Sequence, residues 1–252
     1  MMIPWREKLV ATAIHFAVTA VLAGAAAALI FLVWFPAPFH TMIGGTDLFL
    51  LVVGCDLALG PLLSLVIYNS RKPRRELITD YAIVGIVQLA ALVFGIYVVA
   101  GTRPVVVAFV KDRIEIATAR DFTETELAAA RDPQYKTLSW TGPRLIGVVV
   151  PEAERQEALF AALEGREEKA RPRYYQPFET VLPEIRNRAG TLEQLVAKHP
   201  EGKTLLDEAI ARAGLPKERL RWLPVRHRLG FWTALIDLET GRPVEYFELD
   251  PY

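Results

Sequence analysis

The chain of 252 residues has little cysteine, no net charge and few histidines, and each shortage excludes a class of protein. Cys55 is the only cysteine, so a fold stabilised by intramolecular disulfides is excluded. The 29 basic residues balance 29 acidic ones, which removes the electrostatic attraction that nucleic-acid-binding proteins use. No histidines or carboxylates have the spacing of metal ligands or of a catalytic cluster. We therefore expect no nucleic acid, metal or cofactor as a partner, no catalytic residues and no enzyme activity.

Charge is also missing from three long segments near the amino terminus. Residues 9–35 and 81–101 contain no Asp, Glu, Lys or Arg, and residues 48–69 contain only Asp56. About 20 apolar residues in a helix cross the hydrocarbon core of a bilayer. The sequence therefore predicts a membrane domain, residues 1–102, with three spans at about these positions.

A cleaved signal peptide is the alternative explanation for the first segment, because Ala23, Gly24 and Ala25 imitate a cleavage site. The apolar run continues through residues 29–35, well beyond that site. A signal peptide has a shorter apolar region, so we favour a membrane span.

Basic residues predict how the spans are oriented. Arg6 and Lys8 precede the first span, and four further bases lie between the second and third: Arg71, Lys72, Arg74 and Arg75. Residues 36–47, between the first two spans, contain none. Because Lys and Arg in short loops stay on the cytoplasmic side, we expect a multi-pass membrane protein with both basic segments in the cytoplasm; in a bacterium, the opposite side of the membrane is the periplasm. Its amino terminus would be cytoplasmic and residues 103–252 periplasmic.

The second span carries an unusual polar group. Asp56 lies about nine residues, or ~14 Å of helix, from the outer end, at a depth where an ionised side chain costs at least ~3 kcal/mol. It must be neutral or paired there. Gly60 shares its helix face, and Pro61 removes a backbone donor, so the helix should kink or open at this point.

Two interpretations of this group stay open. Asp56, Gly60 and Pro61 form a polar notch that faces a partner helix or an ion, or a neutral Asp56 bonds internally to freed backbone or to Gln88 of the third span. His15 lies ~9 Å inside the cytoplasmic end of the first span, nearer to Gln88 than to Asp56. We expect it to make a hydrogen bond between helices.

Small residues predict where the helices pack together. Ala20, Gly24 and Ala28 recur every four positions in the first span, and Gly60 and Ser64 do so in the second. Such spacing lets helices approach closely in lipid. We expect these faces to join the spans of one chain, with a contact between molecules as the alternative.

Residues 103–252 contain the alternating strand and helix patterns of a soluble α+β domain. Strands are predicted in six segments: 105–110, 114–117, 145–150, 220–225, 231–238 and 244–249. Helices are predicted at five: 123–131, 151–165, 180–188, 191–196 and 204–213. The residues Thr123 and Thr191 open capping boxes. In the helix that begins at Pro151, we expect Leu159, Phe160 and Leu163 to form the buried stripe.

Two side-chain groups of this domain have alternative interpretations. Arginines near Trp222 could bind an anion or a nucleotide, but arginines that alternate with apolar residues favour the solvated face of a strand; they are Arg219, Arg221, Arg226 and Arg228. Aromatic residues could form an interaction surface or pack in the core; they are Tyr174, Tyr175, Phe178, Tyr246, Phe247 and Tyr252.

An ordered series of features resembles the type IV pilin accessory proteins of the TfpX/TfpZ group. The series consists of Trp5, His15, Trp34-Phe35-Pro36, Asp56, Gly60-Pro61-Leu62-Leu63, Lys72 with Asp80, Gln88-Leu89-Ala90-Ala91-Leu92, Gly95 and Arg103-Pro104. It covers the membrane half closely, extends to Arg113 and becomes diffuse beyond it. No single feature is specific, but their order is.

The resemblance implies a protein of the bacterial inner membrane, an accessory factor (chaperone or assembly modulator) that acts on the major pilin during type IV pilus biogenesis. Pilins wait in the inner membrane as one apolar helix with a globular head outside, so membrane lipids and other assembly components are the further partners implied. Our sharper hypothesis is that Asp56, Gly60 and Pro61, with Gln88 and His15 nearby, receive the pilin helix. The alternative function is a membrane-anchored periplasmic subunit that senses a small ligand.

Overall fold

The computed structural model describes residues 5–69 and 71–252, which divide into two compact units. The first unit takes in the described residues up to His40 together with Gly44–Gly101. The second consists of Thr41–Ile43 and Thr102–Tyr252. Each unit has its own packing.

The first unit is made of long apolar helices. The helices are α1 (Trp5–Ala28), α2 (Phe39–Met42), α3 (Gly45–Ile67) and α4 (Arg74–Thr102); α2 is a single short turn whose last two residues belong to the second unit. Among the described residues, α1 with its continuation to Trp34, α3 and α4 are long and apolar enough to cross a membrane. Most of their large apolar side chains are exposed, as expected of helices that face lipid. Helix α3 runs unbroken through Pro61, so it does not open there.

Helix α1 ends in a wider turn. Residues Leu29–Trp34 form a π-helix, and the Phe35 amide donates to the Ile30 carbonyl, five residues earlier, at 2.8 Å. Single π-turns of this kind interrupt α-helices and change the direction of the side chains that follow. Ile30 and Trp34 are buried in this segment, whereas Leu32 is exposed.

Small residues pack within the chain as predicted in the second span but not in the first, where the alternative, a contact between molecules, stays a prediction. Gly60 and Ser64 are buried in α3. In α1, however, Gly24 and Ala28 are exposed, with open space in front of Gly24, and Ala23 and Ala26 are buried instead. The inward face of α1 is the one that carries His15, because residues 15, 19, 23, 26 and 30 follow one another at helical spacing.

Seven strands of the described chain form one mixed sheet in the second unit. They are β1 (Pro104–Val110), β2 (Arg113–Thr118), β3 (Arg144–Val148), β4 (Tyr175–Pro177), β5 (Leu220–His227), β6 (Gly230–Asp237) and β7 (Pro243–Phe247). Their order is β4-β3-β1-β2-β5-β6-β7. The β1–β3 and β2–β5 pairs are parallel and the others antiparallel. The α+β prediction is confirmed, although no strand was predicted at the residues of β4.

Helices cover this sheet. They are α5 (Glu124–Ala128), α6 (Arg155–Leu163), α7 (Leu182–Arg188), α8 (Leu192–Lys198) and α9 (Lys203–Ala213). Short 3-10 segments join them at Ala119–Asp121, Pro133–Tyr135, Glu152–Glu154, Glu168–Ala170, Pro172–Tyr174, Phe178–Val181, Pro200–Gly202 and Lys217–Arg219. The Thr191 capping box is present, and Thr123 accepts from the Glu126 amide as an N-cap. One apolar core includes strands β1 and β3, and a second lies between α8, α9 and strands β5 to β7.

The buried stripe predicted for α6 is wrong. Leu159, Phe160 and Leu163 are 58%, 57% and 77% exposed, and the residues that α6 buries are Ala158 and Ala161. Alanines bring the helix backbone close to its neighbours, which turns the larger side chains outward. We call the three exposed side chains the α6 face.

The other two groups of side chains are mainly structural. Tyr174, Tyr175, Phe178 and Phe247 are buried, whereas Tyr252 is exposed. Arg219 pairs with Asp237 and Glu239, and Arg226 pairs with Glu115 and Glu167. These two arginines therefore have carboxylate partners within the chain, as a solvated strand face allows.

Candidate functional site

A cleft lies among the three long helices of the first unit. Its volume is about 110 Å³, and apolar side chains form most of its walls. The lining residues are His15, Val18, Thr19, Leu22, Ala23, Val53, Asp56, Gly85, Gln88, Leu89 and Leu92. We call it the Asp56 cleft, after the acidic side chain that lines it.

A chain of hydrogen bonds lies at the polar end of this cleft and ties the helices together. His15 Nδ1 lies 2.7 Å from Ser64 Oγ of α3, and His15 Nε2 lies 2.8 Å from Gln88 Oε1 of α4. Because an amide oxygen only accepts, Nε2 carries a proton; in a neutral imidazole Nδ1 then accepts from the Ser64 hydroxyl. Gln88 Nε2 in turn donates to the backbone carbonyl of Asp56 at 3.5 Å. The predicted hydrogen bond between helices at His15 is confirmed.

Gly60 makes room for this chain of hydrogen bonds. A Cβ atom at Gly60 would lie 2.5 Å from Gln88 Nε2 and 3.0 Å from His15 Nε2. Gly60 is therefore covered by the molecule's own side chains. Neither Gly60 nor Pro61 lines the Asp56 cleft, whereas the other three predicted residues, Asp56, Gln88 and His15, all do.

The Asp56 carboxylate is not part of this chain of hydrogen bonds. Within the described part of the chain, Gln88 bonds to the Asp56 backbone and not to its side chain. The internal bond that the sequence predicted between Gln88 and Asp56 is therefore present, but it is made by the backbone carbonyl of Asp56 and not by its side chain. The carboxyl group instead lines a cleft whose walls are apolar.

Three contributors to the cleft and its hydrogen bonds were not singled out from the sequence. Gly85 lines the cleft and has no atom within 4 Å of the place where a Cβ would stand. Thr19 also lines it and donates to the His15 carbonyl at 3.1 Å. Ser64 was noted only as a small residue, although its hydroxyl bonds to His15. The four-residue spacing of His15 with Thr19 and of Gly60 with Ser64 was the available signal.

The second unit has two grooves beside the α6 face. One, of about 650 Å³, is lined by apolar residues that include Val148, Val149 and Val181, and the other measures about 330 Å³. Leu159 lines both grooves. The α6 face therefore continues into concave surface on either side.

Charged side chains near the smaller groove are paired with one another. Burial raises the pKa of Glu115 despite the attraction of Lys169 and Arg226. Burial acts in the same direction on Glu167, but the hydrogen bond and charge of Lys169, with those of Arg226, outweigh it and lower its pKa. Lys111 donates to Glu168 at 2.7 Å. These groups form a network of ion pairs, and the groups of three or more His, Cys, Asp or Glu that a metal ion requires are not found among the described residues.

Apolar helices that could span a membrane, followed by an α+β unit with a mixed sheet, define a membrane-associated protein. Comparison with known proteins identifies its family. The family model described as fimbrial assembly protein FimB matches residues 3–44. No solved structure matches the chain.

Relatives from Dichelobacter nodosus extend this match to nearly the whole chain. The fimbrial assembly protein of serogroup E1 is 32% identical over 244 residues, which are 94% of this chain and 95% of the relative. The serogroup I protein is 31% identical over the same shares. A protein of serogroups C1 and C2 is 38% identical over 117 residues, or 46% of this chain and 89% of the relative. The chain belongs to the FimB family of fimbrial assembly proteins.

Proposed function

We propose that this protein is an inner-membrane accessory factor of type IV pilus biogenesis, a chaperone or assembly modulator for the major pilin. The relatives are named for fimbrial assembly, and the ordered features of the membrane half resemble the TfpX/TfpZ group. The observation that carries the proposal is the Asp56 cleft, in which a carboxyl group faces apolar walls. No catalytic step is assigned to it.

The cleft suits an apolar helix that carries one hydrogen-bond donor or positive charge. A carboxyl group in an apolar surrounding is costly unless it is neutral or meets such a group. Gly85 leaves open space on the α4 side of the cleft, and Ala23 is the small residue on the α1 side. Small residues allow the backbone of another helix to approach closely. The membrane helix of a pilin has the required shape and would supply the partner for Asp56.

The proposed topology places both parts of the pilin within reach. All three long helices would cross the inner membrane, with the amino terminus and the Arg71 segment in the cytoplasm, since the basic residues of the short segments cluster there. The α+β unit would then be periplasmic, on the side of the pilin head. Its α6 face is an exposed apolar patch, the kind of surface that marks protein–protein contact. We assign the pilin head to this face.

Co-purification of the major pilin tests the proposal. Asp56→Asn keeps the size of the side chain and removes its charge, and Asp56→Leu removes its polarity as well. We expect both variants to capture less pilin from detergent-solubilised membranes, with the larger loss for Asp56→Leu. Asp47→Asn is the matched control, because Asp47 is an exposed acid in the first turn of the same helix.

Four outcomes would contradict the proposal or favour an alternative. Unchanged pilin capture and unchanged piliation in both Asp56 variants would exclude the cleft as the pilin site. Absence of any pilin complex, together with thermal stabilisation by a small ligand, would favour the sensor alternative. Turnover of a substrate by the purified protein would show an enzyme. A reporter fused after Tyr252 that is active only in the cytoplasm would reverse the proposed topology.

A further inference from the structure

One end of the helical unit collects most of its positive charge. Helix α1 begins there, α3 ends there and α4 begins there, and Lys8 Nζ of α1 donates to the Leu65 carbonyl of α3 at 3.0 Å. Six bases belong to this end: Arg6, Lys8, Arg71, Lys72, Arg74 and Arg75. Three acids accompany them: Glu7, Glu76 and Asp80. We call these residues the basic end; the side chains give it a net charge of +3.

Much of this charge is not neutralised by ion pairs. Lys72 pairs with Asp80 at 2.5 Å, and Lys8 is bonded to backbone. The remaining four bases, Arg6, Arg71, Arg74 and Arg75, are exposed, and no carboxylate partner is found for them within the part of the chain that the structure describes. The basic end is therefore complementary to an anionic ligand.

A cleft at the basic end joins this charge to apolar surface. Its volume is about 450 Å³, and its lining residues are Arg6, Glu7, Val10, Ala11, Ile14 and Tyr68. Val10 and Ile14 are 54% and 61% exposed and lie one and two turns along α1 from Arg6. The cleft thus runs from a guanidinium and a phenol hydroxyl onto the apolar side of a helix. Among the residues that the structure describes, Glu7 is the only acid in its lining.

We propose that this cleft binds an anionic phospholipid. The phosphate of the headgroup would be held by Arg6 and the Tyr68 hydroxyl, with Arg71, Arg74 and Arg75 attracting the headgroup. An acyl chain would cover Val10 and Ile14. A soluble acidic segment would satisfy the guanidiniums but would leave the apolar half of the cleft uncovered. The proposal does not depend on the capture of pilin.

Native mass spectrometry of the full chain, released from detergent micelles, tests this site. Phosphatidylglycerol is the anionic probe and phosphatidylcholine the zwitterionic one. A basic residue near an anionic headgroup contributes about fivefold in affinity. We expect Arg6→Gln with Arg71→Gln to weaken phosphatidylglycerol binding by roughly twentyfold or more and phosphatidylcholine binding by much less, because the choline cation offsets the charge of the phosphate that both lipids carry.

The control is Arg155→Gln with Arg166→Gln, which removes two exposed arginines of the α+β unit and should change neither lipid. Equal binding of the two lipids, or unchanged phosphatidylglycerol binding in the Arg6 and Arg71 variant, would overturn the proposal. Displacement by excess inorganic phosphate would indicate a site for the free anion. Displacement by polyglutamate would assign the basic end to an acidic protein segment.

Discussion

Replacement of Gly60 by alanine should loosen the helical unit by a predictable amount. The new Cβ would stand 2.5 Å from Gln88 Nε2, closer than the two atoms can approach. Gln88 is flexible and can turn away, so the clash is relieved at the cost of its hydrogen bonds. The bonds at risk are those to His15 and to the Asp56 carbonyl.

The magnitude follows from those two bonds. Hydrogen bonds between membrane helices contribute about 0.6 kcal/mol on average and at most about 1.7. The loss should therefore amount to about 1–2 kcal/mol. Alanine also favours a helix over glycine by up to about 1 kcal/mol, which partly hides the effect. Gly24→Ala is the matched control, because Gly24 lies in α1 with no atom within 4 Å of its missing Cβ. The difference between the two variants isolates the lost hydrogen bonds.

Reversible unfolding in mixed micelles, titrated with sodium dodecyl sulfate and followed by circular dichroism, measures this difference. Gly60→Ala should unfold at lower denaturant than Gly24→Ala. In a Gln88→Ala background the clash with Gln88 is absent and only the close contact with His15 Nε2 at 3.0 Å remains, so Gly60→Ala should cost less there than in the unmodified chain. Equal stability of the two glycine variants, or additive effects of Gly60→Ala and Gln88→Ala, would refute the reasoning.

Three further predictions concern packing and pH. Gly95→Val should reduce stability in micelles by more than Gly60→Ala does, because its Cβ would lie 2.3 Å from a methyl group of Val52, whose β-branched side chain has few alternative rotamers. Burial, with a smaller contribution from a nearby lysine, lowers the pKa of His227 to about 4, so between pH 6.5 and 4 the unfolded state binds a proton that the folded state does not. The free energy of unfolding should decrease as the pH is lowered through that window, by at most about 1.4 kcal/mol per pH unit. Thermal scans should show a flatter dependence of stability on pH for His227→Leu, and parallel curves for the two proteins would contradict this. Burial would raise the pKa of Asp237, but hydrogen bonds that include those from Arg219 outweigh it and lower the pKa. Asp237→Asn should therefore reduce the free energy of unfolding by about 1–3 kcal/mol near neutral pH, and thermal scans should show this difference disappear as acid protonates the native carboxylate. An equal loss of stability at all pH values would contradict the ion pair.

Much of the architecture could be predicted because it depends on local pattern. Long uncharged runs predicted the membrane-compatible helices, and apolar or alternating segments predicted strands β1 and β2. The Thr191 capping box and the end of the helix predicted at 204–213, which is followed by Gly214 with a φ of +65°, also depend on the chemistry of a few neighbouring residues. The resemblance of the membrane half pointed to pilus accessory proteins, and the family of fimbrial assembly proteins agrees with it.

The errors arose where distant contacts decide the outcome. Strand β4 has three residues and ends in Pro177, so it forms only because the edge of β3 is available. In α6, apolar periodicity marked the larger residues, but close packing selected Ala158 and Ala161. In α1, the inward face is the one that carries His15, whose partners lie 49 and 73 positions away in the sequence.

The cleft itself was only partly predictable. Asp56, Gln88 and His15 were singled out because polar groups are rare in apolar helices, and all three line it. Gly60 was expected to open a notch for a partner helix, but the side chains of Gln88 and His15 occupy the space in front of it. Sequence spacing shows which residues share a helix face, but not which neighbour fills the space before it.

The hydrogen bonds that begin at Ser64 all have the same donor-to-acceptor direction. Each link passes a proton donor forward, from hydroxyl to imidazole to amide, and the last acceptor is the main-chain oxygen of Asp56. A peptide carbonyl can only accept a hydrogen bond, so the donor-to-acceptor direction of the chain cannot reverse, as proton transfer along it would require. These hydrogen bonds therefore join helices α1, α3 and α4 and hold them in position, and they do not form a path for proton transfer.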